Sequence, residues 1–125
     1  MLSNSKLQSI ILTSNPTQAE EFYKNVLGLK LISKLDGATI FGVGGGDLRV
    51  SQVTSTSPTE HTILGFSVTN VVNIIDQMTN KGILFERFDK FSQEENGVLT
   101  TPAGTRVAWF RDPDGNLLSV VQYRE

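Results

Sequence analysis

The chain has 125 residues, 38% of them hydrophobic and 19% charged. That is the balance of one globular domain able to bury roughly two-thirds of its unfolded surface. A net charge of −2 without a basic stripe argues against nucleic acid, and the short apolar runs argue against a membrane span. Zero cysteines exclude disulfides, thiolate metal sites and a cysteine nucleophile, and the single histidine, His61, narrows acid–base chemistry further.

Leu7 to Thr13 reads as a strand, and its flank MLSNSKLQSII lacks the apolar core of a signal peptide, so a cytoplasmic location is expected. A helix follows. Asn15 stands as N-cap, Pro16 at the first helical position and Gln18 at N3, with Ala19, Phe22, Tyr23, Val26 and Leu27 on one face and Gly28 as the stop. Leu29–Leu35, Ala38–Val43 and Leu48–Val53 read as strands, separated by Asp36-Gly37 and by Gly44-Gly45-Gly46. The glycine run lacks the spacing and the following helix of a dinucleotide fingerprint, so it reads as a hairpin turn.

The order then recurs. Thr62–Val68 reads as a strand, and Asn70 caps a helix bearing Val71, Ile74, Ile75 and Met78 that ends at Gly82. Ile83–Phe88, Val98–Thr101, Thr105–Arg111 and Leu117–Tyr123 read as strands, with a polar loop at Asp89–Gly97. The two capping asparagines stand 55 residues apart and the two helix-ending glycines 54. The chain therefore reads as two βαβββ modules, about 1–55 and about 60–125, within one domain. The fold class expected is α+β, with paired modules forming a curved mixed sheet around a cleft.

Phe22-Tyr23-Lys24-Asn25-Val26-Leu27-Gly28 and Trp109-Phe110-Arg111-Asp112-Pro113-Asp114-Gly115-Asn116 resemble two motifs of the glyoxalase/bleomycin resistance protein/extradiol dioxygenase superfamily, the vicinal oxygen chelate proteins. The resemblance covers nearly the whole chain. It implies, for metal-dependent members, ligands on the first strand seven residues before each capping asparagine and a glutamate on each last strand. Those positions here hold Gln8, Ile63 and Ser119, and the run Asp47–Gln52 has no carboxylate after its first residue. Since a stable site needs about three good protein ligands, no metal and no cofactor are expected.

The leading expectation is metal-independent binding of a small, largely apolar or aromatic molecule in the inter-module cleft, as in the bleomycin-resistance branch. The alternative is a metal-dependent lyase, isomerase or dioxygenase with a site rebuilt around Gln8 and His61. A third reading is a dimerisation module with no small-molecule role. Candidate ligand contacts are Gln8, Phe41, His61, Trp109 and Ser119. Each has a plainer reading: Gln8 and Ser119 as locally satisfied polar groups, His61 as a surface residue at a strand start, Phe41 and Trp109 as core. Ser119 lacks a nearby base and any nucleophile elbow, which argues against hydrolysis. Asp112 and Asp114 read as turn formers rather than a catalytic pair. Phe85, Phe88 and Phe91 recur every three residues and run into the polar loop, as a core anchor or as a lid with an aromatic tip. A two-fold homodimer is expected, because Ala38–Val43 and Leu117–Tyr123 are apolar on both faces.

Overall fold

A computed structural model describes residues 1–124. The chain divides into two compact units, Met1–Pro58 and Thr59–Glu125. In the first unit, β1 (Gln8–Thr13) leads into helix α1, which begins at Pro16 and widens to π-helical geometry over Glu21–Val26. β2 (Lys30–Leu35), β3 (Ala38–Val43) and β4 (Gly46–Gln52) complete a four-stranded sheet in the order β1-β4-β3-β2. β1 runs parallel to β4, and the other neighbours are antiparallel.

The second unit repeats the plan. β5 (Leu64–Ser67), α2 (Val71–Asn80), β6 (Leu99–Thr100), β7 (Arg106–Arg111) and β8 (Leu117–Gln122) form a sheet ordered β5-β8-β7-β6. β5 is parallel to β8, the match of β1 against β4. The fold is α+β, made of two four-stranded mixed sheets with one helix in each unit.

The caps form as the sequence requires. The Asn15 and Asn70 side chains accept from the backbone N–H groups of Gln18 and Asn73, at 3.1 and 3.0 Å. They satisfy donors that the first helical turn leaves open. Gly28 and Gly82 follow the helices at φ 74° and 93°, where a side chain would be strained. The Gln122 side chain reaches back from β8 to accept from Val71 N–H at 2.9 Å and so ties the start of α2 to its sheet.

Period-two alternation then decides which side chains enter the cores. In the first unit Ile11, Phe41, Leu48 and Val50 share the buried side of the sheet, with Phe22 and Tyr23 of α1 buried as well. In the second, Ala108, Phe110, Leu118 and Val120 form the corresponding side, with Val71, Ile75 and Met78 of α2 also buried.

Two expectations are corrected here. Ile83–Phe88 is not a strand. It makes a backbone bond from Glu86 N–H to the Trp109 carbonyl at 2.7 Å, but the Phe88 N–H is taken by the Gln93 side chain rather than by a ladder. The apolar surface also lies elsewhere than expected. Ala38, Ile40 and Phe41 of β3 and Leu117, Leu118 and Val120 of β8 are buried. The exposed large apolar side chains of the first sheet are Ile10 and Leu12 on β1 and Ile32 and Leu35 on β2.

Candidate functional site

The side of the second sheet away from its core carries a candidate site. The register pairs Val107 with Val121, Trp109 with Ser119, Gly65 with Ser119 and Ser67 with Val121. One step of alternation therefore places Gly65, Ser67, Val107, Trp109, Ser119 and Val121 on one side, opposite Phe110, Leu118 and Val120. With Thr62, Thr105 and Tyr123 these residues line an open groove of about 420 Å³. No charged side chain is among them.

Trp109, the chain's one tryptophan, is fixed from two directions. Its indole N–H donates to the Thr62 hydroxyl at 3.1 Å. Phe91 stacks on it at 5.6 Å with an interplanar angle of 15°, and Phe88 meets it edge-on at 5.4 Å. Phe88 and Phe91 also meet edge to face at 6.0 Å, and the Lys90 ammonium lies 5.2 Å from the Phe91 ring centre. Neither Phe88 nor Phe91 lines the groove, so they support the indole from outside it. Phe85, the third member of the series, packs instead on Phe110 of the core at 5.7 Å.

The loop bearing Phe91 is held by side chains. Gln93 donates to the carbonyls of Glu86 and Gly97 and accepts from Phe88 N–H, all at 2.8–2.9 Å. Arg87 donates to the carbonyls of Gln93, Glu94 and Glu95. Beside the groove, Arg111 is neutralised by Glu86 at 2.9 Å and also donates to the Gly115 carbonyl.

The candidates from the sequence separate cleanly. Trp109 and Ser119 are direct cross-strand neighbours in the groove. Ser119 is largely buried, and a Cβ on Gly65 would come within 3.0 Å of its hydroxyl, so glycine at 65 keeps that hydroxyl reachable. Phe41 is corrected: it is fully buried and lies 6.0 Å from Tyr23, on the core side of the first sheet. Its counterpart is Phe110, not Trp109, because Phe41 pairs with Leu48 as Phe110 pairs with Leu118. Gln8 is exposed at the start of β1, paired in register with Asp47. His61 is exposed before β5 and is not a lining residue. Thr62, its neighbour, lines the groove instead. Alternation back from Gly65 would place it on the opposite side, so no spacing signal in the sequence marked it, and it stands before β5 where the pleat does not apply. Val107, Val121 and Tyr123 were also missed, although their spacing from Trp109 and Ser119 by twos along β7 and β8 marks the same side.

Asp112 and Asp114 are structural. The Asp112 carboxylate accepts from the N–H groups of Asp114 and Asn116 at 3.0 and 2.9 Å, and from the Asn116 side-chain amide at 2.9 Å. With Asp112 only 6% exposed, the carboxylate is the hub of the β7–β8 turn.

The donors do not fit a family-type metal. Ile63 has no ligating atom, and Ser119 offers a neutral hydroxyl. The position on β4 that matches Ser119 is Arg49, flanked by Leu48 and Val50 as Ser119 is by Leu118 and Val120. Its guanidinium, which donates to Ser51 at 3.0 Å, would repel a cation. Among the described residues no three of histidine, aspartate and glutamate converge on one point. Nor is any helix among them long and apolar enough to cross a membrane.

Comparison with known proteins supplies the family. No curated protein matches the sequence. Solved structures do match in fold. One is a superfamily member from Sphaerobacter thermophilus (TM-score 0.77, 18% identity, 98% of this chain and 100% of that one). A second is a glyoxalase/bleomycin resistance protein/dioxygenase from Alicyclobacillus acidocaldarius (0.72, 19%, 98% and 93%). A third is a lactoylglutathione lyase from Agrobacterium tumefaciens (0.74, 19%, 95% and 93%). The family model for the Glyoxalase/Bleomycin resistance protein/Dioxygenase superfamily matches residues 7–120, and the chain belongs to that superfamily.

Proposed function

We propose that this protein binds a small, largely apolar or aromatic molecule without a metal, in the groove over β5, β8 and β7. The observation that supports it is the fixed Trp109 indole in a groove whose other walls are valines and hydroxyl side chains. Small-molecule sites are mostly apolar clefts with a few placed polar groups, and a rigid indole gives stacking area at little entropic cost. The donor set argues against the metal-dependent alternative, although a lactoylglutathione lyase shares the fold. Ligand-observed NMR against a panel of planar aromatic compounds tests the proposal. Binders are expected to lose their signal with Trp109→Ala. A panel without binders, or unchanged binding by the variant, refutes it.

We further propose that the chain forms a two-fold homodimer. The exposed Ile10 and Leu12, two residues apart on the edge strand β1, support this, because neighbouring exposed apolar side chains mark association surfaces. Sedimentation equilibrium is expected to return twice the 13.7 kDa chain mass, and a concentration-independent monomer refutes it.

A further inference from the structure

We propose that the groove selects a neutral, planar ring system carrying a carbonyl or similar bare acceptor, and that the acceptor accepts a hydrogen bond donated by the Thr62 hydroxyl. This rests on the groove being the binding site. The Thr62 oxygen already accepts from the Trp109 indole N–H at 3.1 Å. A hydroxyl that accepts one bond is polarised into a better donor, and its own proton remains available at the rim of the indole. Thr62 therefore faces a ligand chiefly as a donor. Ser119, kept open by Gly65, is a second hydroxyl on the neighbouring strand.

Charge is the second selector. The lining holds five hydroxyl groups, on Thr62, Ser67, Thr105, Ser119 and Tyr123, and no ionic side chain. The guanidinium of Arg111, next but one to Trp109 along β7, is matched by Glu86. The Lys90 ammonium lies against Phe91, outside the lining. A carboxylate or ammonium ligand would lose hydration in the groove and gain no opposite charge. A ring without an acceptor would lose water from the Thr62 hydroxyl and leave it unpaired.

Three probes of one shape separate these effects: fluorene, fluorenone and the carboxylate derivative of fluorenone. Trp109 emission reports occupancy directly, since no other tryptophan contributes. Fluorenone is expected to quench saturably with roughly tenfold higher affinity than fluorene, the worth of about one hydrogen bond, and the carboxylate is expected to bind weakest. Thr62→Val should lower fluorenone affinity roughly tenfold and leave fluorene within about twofold. Equal affinity for fluorene and fluorenone, or tightest binding of the carboxylate, overturns the selectivity and leaves the site standing. Absence of saturable quenching by all three overturns the site itself. The wild-type comparison decides the matter even if Thr62→Val fails to fold.

Discussion

Phe41 and Trp109 occupy central strands of the two sheets, yet the structure gives them opposite duties, and truncating each one tests that assignment. Phe41 is 0% exposed, with Tyr23 6.0 Å away on α1 and Leu48 beside it on β4. Phe41→Ala removes a fully buried ring from a close-packed core, which costs about 3–5 kcal/mol in transfer and cavity terms. Set against the usual total of about 5–15 kcal/mol, that is roughly a fifth or more of the stability. For a chain of this length the same loss lowers the melting temperature by roughly 10–20 °C. Trp109 stands on the groove side and is only partly buried, with contacts to Phe88, Phe91 and Thr62. Trp109→Ala should cost about 1–2 kcal/mol less than Phe41→Ala, because part of the indole surface is already in water. Urea denaturation followed by far-ultraviolet circular dichroism measures both variants on one scale. Phe41→Ala should keep aromatic-ligand binding at temperatures where it remains folded, and Trp109→Ala should lose it. A loss below about 1 kcal/mol for Phe41→Ala, or abolished binding in that variant while it is folded, would show that the parity assignment is wrong.

Three other outcomes are expected. Asp112→Ala leaves two backbone donors and the Asn116 amide without their carboxylate, and should lower stability by about 2–4 kcal/mol in urea titration; a change under about 1 kcal/mol would remove Asp112 as the hub of the turn. Gln93→Ala severs three bonds that close the Phe91 loop, so the Phe88 amide should exchange its hydrogen at least about tenfold faster, and unchanged protection would contradict this. Protein equilibrated with zinc, manganese or nickel and then desalted should retain substoichiometric metal by elemental analysis, because Ile63, Ser119 and Arg49 supply no ligand set; one tightly held ion per chain would refute that reading.

Local chemistry made much of the fold readable in the sequence. Asn15 and Asn70 form the caps, Gly28 and Gly82 adopt the left-handed backbone that ends each helix, and Asp112 closes the last turn, because each of these devices works over four or five residues. The repeat itself was legible for the same reason, since the devices recur at a fixed interval. Sheet pairing was not. Ile83–Phe88 has strand-forming residues, but whether it joins a ladder depends on partners far along the chain, and the Gln93 side chain takes the Phe88 N–H in place of a strand. The site turned on one step of register. Alternation showed that Trp109 and Phe110 must face opposite ways, and that Phe41 must face one of them, but not which faced the core. That was decided by the helices, which can cover only one side of each sheet, so Phe41 and Phe110 went in and Trp109 was left on the open side with Ser119 and Thr62.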